Sequence, residues 1–294
     1  MTVKSLFVGL ATLDVIQLVN RLPDSNEKVV ALDSLTAAGG PAANAAVAAA
    51  HLGSEAVLIT ALADHPVSDI IRSDLAACGV TVWAVPVDTP PVVASILVTA
   101  GSGDRAIVSP TSSASSATAA SLSAAEIARA LDGVAAVHCD GYHPSLALPI
   151  ASAARERGIP VLFDGGSFTP HTDAVLEHVD IAVVSGDFAP PGVQPDPVSV
   201  LAYLVDRGPV FTAVTRGARG IVFRAPHTRG AVPVERVSVA DTLGAGDFFH
   251  GALAVAIAQA GRSEQEFPHQ LAWASRVAGA SLGSFGTRRW LDIS

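Results

Sequence analysis

The sequence predicts an α/β protein with a doubly wound, mostly parallel sheet and a small, discontinuous β-sheet lid. Short apolar runs alternate with alanine-rich helical stretches along most of the 294 residues, an alternation typical of βαβ units. Two segments break this alternation, because they contain strand-like pieces with no helix between them. Half of the residues are hydrophobic and 15% are charged, so the chain can bury a large core.

Six apolar runs are predicted to be buried strands: SLFVGL, AVLITAL, VAAVHC, PVLFD, IAVVS and PVFTAVT. Helices are predicted between them at about 41–52, 66–77, 123–131, 145–157 and 197–206. Ligands of open parallel sheets bind beyond the carboxyl ends of the strands. Functional residues are therefore expected at strand–helix junctions.

The two exceptional segments, 15–37 and 92–108, are predicted to form the lid. The second has a Gly-Ser-Gly-Asp tip, which indicates a hairpin. The α/β domain would then comprise 1–14, 38–91 and 109–294. Two unrelated surface hairpins are the alternative. The Ser/Ala/Thr-rich stretch 111–121 is predicted to be a flexible connection into a helix capped near Ser121 or Ser123.

Composition excludes several classes of protein. The net charge is −9 and the largest basic cluster is Arg288-Arg289, so neither a nucleic acid nor an acidic membrane surface is an expected partner. No run of about eighteen apolar residues predicts a transmembrane helix, and the short amino-terminal apolar run lacks a signal-peptide cleavage site. The two cysteines, Cys78 and Cys139, are too few for a disulfide framework. We expect a cytoplasmic protein with a small-molecule partner.

The most informative motif is Asp241-Thr242-Leu243-Gly244-Ala245-Gly246-Asp247, which opens an apolar helix. Small residues at a helix start leave backbone N–H groups accessible to an anion, and the helix dipole adds attraction. Asp247 could accept the proton of an attacking hydroxyl. One turn thus offers a base and charge stabilisation for phosphoryl transfer. The alternative is a glycine-containing helix cap with Asp247 as a dipole partner.

Three weaker motifs lie at other junctions. Gly39-Gly40-Pro41-Ala42-Ala43-Asn44 opens a helix, and its asparagine offers a donor and an acceptor to hydroxyl groups. Asp14, placed just past the first strand, could bind vicinal hydroxyls or cap a turn. The turn Thr215-Arg216-Gly217-Ala218-Arg219-Gly220 could seat nucleotide phosphates, although a plain hairpin would use the same glycines.

Together and in this order, the four motifs resemble the ribokinase/PfkB family of carbohydrate kinases over nearly the whole chain. GGPAAN matches the family's amino-terminal glycine signature, and DTLGAGDFFHGAL matches its carboxyl-terminal signature. These two signatures most resemble those of the family branch that contains ketohexokinase and sulfofructose kinase. The resemblance implies a ribokinase-like fold and ATP-dependent phosphorylation of a sugar or sugar-derivative hydroxyl, with ketoses favoured.

The resemblance also implies roles for matched positions. Asp247 corresponds to the catalytic base, and the anion hole to Gly244, Ala245 and Gly246. The implied sugar contacts are Asp14, Gly39, Gly40 and Asn44. The implied nucleotide contacts are Ser185, Thr215, Gly217 and Gly220.

ATP and Mg²⁺ are the implied cofactors. K⁺ is a further one in family members that use a monovalent cation, and the matching region here is Asp241, Leu243 and the loop 281–286. The family's Asn-x-x-Glu motif, tied to magnesium and phosphate, is altered, since Ser185 replaces the asparagine and Phe188 the glutamate. Asp187, one position before Phe188, could take the place of the glutamate. A homodimer through the lid is also implied.

Other functions remain open. A nucleoside kinase and a catalytically silent sugar or nucleotide sensor are possible on the same fold. A dinucleotide-dependent oxidoreductase is disfavoured, because no glycine fingerprint follows the first strand. Asp140, Tyr142 and His143 follow a predicted strand and are expected to shape the substrate pocket.

Overall fold

The computed structural model describes residues 2–110 and 120–292, and it shows an α/β fold with two separate sheets. The strands are β1 (Lys4–Val8), β2 (Thr12–Val19), β3 (Asp33–Gly39), β4 (Glu55–Leu62), β5 (Thr81–Pro86), β6 (Val93–Thr99), β7 (Arg105–Val108), β8 (Val134–Cys139), β9 (Val161–Gly165), β10 (Ile181–Ser185), β11 (Phe211–Thr215), β12 (Ile221–Arg224) and β13 (Arg229–Val232). The α-helices are α1 (Pro41–His51), α2 (Pro66–Ala77), α3 (Ala124–Ala130), α4 (Pro144–Glu156), α5 (Thr172–Leu176), α6 (Pro197–Val205), α7 (Ala245–Ala260) and α8 (Phe267–Ser281).

The large sheet has the strand order β13-β12-β11-β10-β9-β8-β1-β4-β5. Pairing is parallel from β5 to β11, and β12 and β13 extend the sheet with antiparallel pairs. The chain runs outward from β1 to β4 and β5, then returns to the other side of β1 at β8. The gap between β1 and β8 is therefore a topological switch point, where open α/β sheets bind their ligands.

Both faces of the large sheet are covered, as its apolar strands require. In β1, Phe7 packs into one hydrophobic cluster, with residues of α1, α2, α7 and α8. Its neighbours Leu6 and Val8 pack into the opposite cluster, with residues of α3, α4, α5 and α6. The two clusters fix the register of the strands and hence the positions of the residues at the strand ends.

The small sheet has the order β3-β2-β6-β7. The central strand β2 is antiparallel to β3 and parallel to β6. The segments 15–37 and 92–108 thus share one sheet and are not two unrelated hairpins. The strands extend beyond the predicted limits, since β2 begins at Thr12 and β3 ends at Gly39.

The small sheet packs on two segments of the large domain. Ile16, Ile96 and Val98 on its buried face form a cluster with Leu243 and Phe285. At the tip of the β6–β7 hairpin, the Thr242 hydroxyl donates to the carbonyl of Gly103 at 2.9 Å. The sheet therefore contacts the 241–247 motif directly.

Most predicted elements are present. The helices predicted at 41–52, 66–77, 123–131, 145–157 and 197–206 all exist, with ends within one residue of the prediction. Ser123 is the N-cap of α3 and forms a capping box with Glu126. The sequence analysis omitted β5, β13, α5 and α8. Most of the predicted connection 111–121 lies outside the described residues.

Across residues 2–110 and 120–292, no helix has both the length and the apolar character needed to cross a bilayer.

Candidate active site

The switch point is occupied by the carboxylate of Asp140, which follows β8. It accepts backbone N–H bonds from Leu10 at 2.8 Å, Ala42 at 3.1 Å and Tyr142 at 2.9 Å. These bonds join the ends of β1 and β8 to the start of α1. Burial raises the pKa of Asp140 to about 7, in spite of the three donors. Of the other predicted pocket residues, His143 is buried and is the N-cap of α4.

Asp14, which the sequence analysis placed just past the first strand and in the α/β domain, lies within β2 of the small sheet. Its carboxylate is buried and accepts a bond from the Thr12 hydroxyl at 2.7 Å. A side chain at Gly39 would place its Cβ only 1.9 Å from Asp14 Oδ2, so glycine makes room for the carboxylate. Burial raises the pKa of Asp14, opposed by the Thr12 bond and the Arg288 charge.

Asn44 connects the start of α1 to the start of α7. Gly40 is the N-cap of α1, and Asn44 lies in its first turn. The Asn44 Nδ2 atom donates to Asp247 Oδ2 at 2.8 Å, and its Oδ1 accepts from Arg288 Nη1 at 3.3 Å. The two bonds fix the orientation of the amide, because only the oxygen can accept from a guanidinium.

Arg288 is a residue that the sequence analysis considered only as surface charge. Its side chain is nearly buried and forms a salt bridge with Asp74 of α2 at 2.8 Å. It also donates to the carbonyl of Ala38 at 2.6 Å. No local pattern indicates this contact, since Asp74 and Arg288 are 214 positions apart. These contacts anchor Arg288, which in turn helps to fix the side chain of Asn44.

The predicted anion hole is an open helix start. Gly244 is the N-cap of α7 with φ 76°, a left-handed conformation that favours glycine, and no side chain caps the helix. Ala245 and Gly246 are the first two helical residues, and a Cβ at Gly246 would meet nothing within 4 Å. The Ala245 N–H makes a long contact of 3.5 Å with the carbonyl of Thr242, and Gly246 is exposed, so an anion can approach this helix start.

Asp247 is the third residue of α7 and lies partly buried against Asn44. Burial raises its pKa to about 7. The negative charge of Asp164 adds to this rise, the Asn44 bond opposes it, and the charges of Asp14 and Asp140 contribute less. A carboxylate with this pKa can take a proton near neutral pH, as a general base requires.

Asp164, near the end of β9, was not recognised from the sequence as a site residue. It is buried, and burial raises its pKa to about 7. The same rule that places Asp140 at a strand end would have identified it, since the carboxyl ends of β8 and β9 are neighbours in a parallel sheet. Four carboxylates, Asp14, Asp140, Asp164 and Asp247, are thus coupled electrostatically in one region.

The predicted nucleotide residues meet at the ends of β10 and β11. Ser185 and Thr215 are direct partners in this parallel pair. The Thr215 hydroxyl donates to the carbonyl of Val184 at 3.4 Å. Gly217 begins a short 3₁₀ turn between β11 and β12, and Gly220 follows its last residue. The turn is exposed at Gly217, so its backbone is accessible from the same edge of the sheet as Asp247.

Asp241 links the two segments of the predicted monovalent-cation region. Its buried carboxylate accepts the N–H of Leu243 and the N–H of Gly286, both at 2.8 Å. The 241–247 turn and the 281–286 loop are therefore held together.

In the altered Asn-x-x-Glu segment, Phe188 is buried in the core, whereas Asp187 is exposed just beyond β10.

Comparison with known proteins identifies the class to which this chain belongs. The family model described as pfkB family carbohydrate kinase matches residues 3–293. The chain therefore belongs to the pfkB family of carbohydrate kinases, which are phosphotransferases with alcohol acceptors.

Individual relatives agree with this assignment. The bifunctional protein HldE of Pseudomonas fluorescens is 29% identical over 274 residues, covering 90% of this chain and 56% of the relative. The chain thus spans about half the length of the HldE relatives it matches. Ribokinase of Bacillus subtilis is 26% identical over 283 residues, covering 96% of this chain and 93% of the relative.

A solved structure shows the same fold. The Arabidopsis thaliana ribokinase complexed with ribose and ATP has a TM-score of 0.76 at 22% identity, and the similarity covers 100% of both chains. Both the large, mostly parallel sheet and the small second sheet agree with the ribokinase-like fold that the sequence predicted.

Proposed function

We propose that the chain transfers the γ-phosphoryl group of ATP to a hydroxyl of a sugar or sugar derivative, with a ketose favoured, and that Asp247 is the general base. The observation that carries this proposal is the first turn of α7. It combines a helix start that no side chain caps with a carboxylate whose pKa is about 7. Membership of the pfkB family supports the reaction class.

In this mechanism the acceptor hydroxyl attacks the γ-phosphorus while its proton passes to Asp247. The bond from phosphorus to the bridging oxygen breaks, and its electron pair leaves with ADP. Negative charge spreads over the transferred oxygens, and the N–H groups at Gly244, Ala245 and Gly246 stabilise it. Asn44 holds the base in place through its 2.8 Å bond.

The acceptor would be bound beside the buried carboxylates Asp14, Asp140 and Asp164. Asp14 and Asn44 offer acceptors and donors for hydroxyl groups, and Gly39 and Gly40 keep the backbone close. Asp140 and Asp164 are further acceptors at neighbouring strand ends. A carboxylate that retains free lone pairs can bind two adjacent hydroxyls, which suits a polyhydroxylated acceptor.

The nucleotide would be bound at the ends of β10 and β11, by Ser185, Thr215, Gly217 and Gly220. Bound ATP with Mg²⁺ supplies the phosphoryl group. Mg²⁺ prefers oxygen ligands and often uses one or two carboxylates plus phosphates and water. Asp187 fits this demand as an exposed carboxylate beyond β10, whereas the buried Phe188 cannot.

K⁺ dependence is part of the proposal only through the family resemblance. The Asp241 carboxylate uses both oxygens for backbone N–H bonds, which supports a structural role for this region. We also propose a cytoplasmic location, because the reaction consumes ATP and both cysteines are free.

The experiment that tests the proposal is a screen of ketoses, aldoses and nucleosides with ATP and Mg²⁺, in which acceptor-dependent ADP release is measured. Asp247→Asn is the control for base-dependent turnover. Phosphorylation of a nucleoside but no sugar would favour the nucleoside-kinase alternative. Thermal stabilisation by a sugar without any turnover would favour the silent sensor and contradict the proposal.

We further propose that residues 15–37 and 92–108 act as one lid over the acceptor. Closure excludes water, which would otherwise compete with the acceptor for the phosphoryl group. The single sheet and its contacts with Leu243 and Thr242 support this. Hydrogen exchange should show both segments gaining protection together when sugar is added. Independent responses, or no response, would contradict the lid.

A homodimer through the lid is a related proposal. Val30, Leu32, Ile107 and Val108, in or beside the small sheet, are between 50% and 79% exposed. The two pairs lie toward opposite edges of this sheet, and exposed large apolar side chains are a feature of contact surfaces. Sedimentation of Val108→Lys against the unmodified chain tests whether this surface pairs.

A further inference from the structure

A cluster of polar side chains in the core shares Asp164 with the candidate active site. It consists of His138 on β8, Asp164 on β9 and His250 on α7. One ligand atom from each residue lies within 4.8 Å of those from the other two. The exposed fractions are 0%, 7% and 4%, so all three are buried. Neither histidine has a role in the phosphoryl transfer proposed above.

The two histidines lack the partners that buried imidazoles need. Within the described residues, both ring nitrogens of His138 and Nδ1 of His250 are buried with no hydrogen-bond partner. His250 Nε2 lies 3.3 Å from Asp164 Oδ1 and is the one ring nitrogen with a polar neighbour. The ring of His138 packs on Phe7 and on His250, but these contacts do not satisfy its nitrogens. Native proteins rarely leave such groups unsatisfied.

The cluster offers lone pairs that a cation could use. A neutral imidazole has one ring nitrogen with a free lone pair, and this is the form that ligates metals. The carboxylate of Asp164 would supply the negative charge.

We propose that His138, Asp164 and His250 bind a divalent first-row transition-metal ion, with Zn²⁺ as the representative. Two imidazoles and one carboxylate are a donor set used by three-ligand zinc sites, which leave a fourth position for water. Mg²⁺ prefers oxygen ligands, so this site is chemically distinct from the Mg²⁺ carried with ATP.

The geometry is close to what such an ion needs. Ligand atoms bonded to tetrahedral zinc at about 2.0–2.1 Å are roughly 3.3–3.4 Å apart. The 3.3 Å between His250 Nε2 and Asp164 Oδ1 matches this spacing. The widest separation in the cluster, within 4.8 Å, would close by about 1–1.5 Å when an ion draws the rings inward.

The ion would connect α7 to two strands that are already hydrogen-bonded to each other. β8 and β9 are neighbouring strands, and α7 carries both His250 and Asp247 one turn apart. A shared ion would fasten the base-bearing helix to the centre of the sheet. Since it binds the folded chain, it would raise stability with the logarithm of its concentration relative to its dissociation constant.

The test uses the untagged full chain after chelator treatment and dialysis. Zn²⁺ uptake is measured by calorimetry and elemental analysis, and Co²⁺ reports its ligands through visible absorption. We expect one equivalent of Zn²⁺, competition between Zn²⁺ and Co²⁺, a Co²⁺ spectrum of nitrogen and oxygen ligation, and a higher melting temperature. These readouts do not involve kinase activity, so they stand or fall independently of the proposed function.

Variants then assign the ion to the cluster. Asp164→Asn and His250→Asn are near in size to the original residues and should weaken Zn²⁺ binding by more than roughly 100-fold. The exposed control His269→Ala should bind Zn²⁺ as the unmodified chain does. An unmodified chain that takes up no stoichiometric Zn²⁺ overturns the proposal. So does an ion whose affinity and Co²⁺ spectrum are unchanged in both variants.

Discussion

The two ends of the candidate active site are built differently. At the acceptor end, Asp14, Asp140 and Asp164 are each less than a tenth exposed. At the nucleotide end, the turn after Thr215 is a surface loop that is exposed at Gly217. The acceptor end presents buried carboxylates that need hydrogen-bond partners. The nucleotide end presents exposed backbone groups.

This difference indicates that selectivity between ligands is expected mainly at the acceptor end. A buried carboxylate that loses its partner leaves a costly unsatisfied group, so the acceptor end can reject a molecule that lacks a matching hydroxyl. Backbone N–H groups bind the phosphates of any nucleotide in a similar way. Substitutions should therefore have large effects at the acceptor end and small ones at the nucleotide end.

The largest expected effect is on turnover. Asp247→Asn should lower turnover by about 10²–10⁴, the usual contribution of a general base, because the amide cannot take the hydroxyl proton. Nucleotide affinity should stay close to that of the unmodified chain. Steady-state kinetics and nucleotide calorimetry measure both quantities. Turnover at the unmodified rate would remove Asp247 from the mechanism.

The same substitution should stabilise the fold at high pH. The pKa of Asp247 is about 7 in the folded chain against 3.8 as its ordinary value. Its contribution to stability is therefore present below about pH 4 and lost as the pH rises through about 7. Asp247→Asn should raise the free energy of unfolding at pH 8 by on the order of 1–4 kcal/mol, with little change at pH 4.

Denaturant unfolding at the two pH values measures this difference. The exposed Asp132→Asn serves as the control, since its carboxylate is on the surface. If Asp247→Asn changed stability equally at pH 4 and pH 8, the effect would come from packing or hydrogen bonding and not from the raised pKa.

Acceptor affinity should respond next. Asp14→Ala and Asn44→Ala should each weaken sugar binding by about 1–3 kcal/mol, because a buried hydroxyl loses a partner. ATP affinity should hardly change. Asn44→Ala should also reduce turnover, since it removes the 2.8 Å bond to Asp247. Calorimetry that finds normal sugar affinity in both variants would contradict the assignment of the acceptor end.

The smallest effect is expected at the nucleotide end. Thr215→Val removes one hydroxyl donor from a partly exposed position and should weaken ATP binding by about 0.5–1.5 kcal/mol. Sugar affinity should stay the same. A loss of ATP affinity as large as the loss of sugar affinity in Asp14→Ala would erase the contrast between the two ends.

The fold was largely predictable because its signals are local. The boundaries of α1 were clear from a Gly-Gly-Pro start and an alanine-rich run, and the prediction 41–52 compares with Pro41–His51. The 241–247 turn was predictable for the same reason, since its small residues and Asp247 are contiguous. The omitted β13 and α5 are short and give weak periodic signals.

The site was predictable only where its residues belong to such local motifs. Arg288 reaches Asp74 and Asn44 across more than two hundred positions, and no periodicity reveals that contact. Asp164 ends the predicted strand PVLFD, so the strand-end rule was available but was not applied to it. Asp14 was predicted as a site residue of the α/β domain but lies in the small sheet, because the path of the chain from β1 into that sheet depends on tertiary pairing.

That position of Asp14 has a thermodynamic consequence. β2 is the central strand of the small sheet, so any displacement of the sheet relative to the large domain displaces the Asp14 carboxylate as well. If the sheet moves as the proposed lid, only the closed population presents a complete acceptor site. The apparent dissociation constant for sugar is then the intrinsic one divided by that population. Residues such as Ile16, which pack the sheet onto Leu243 and Phe285, would then influence the sugar affinity through that closed population.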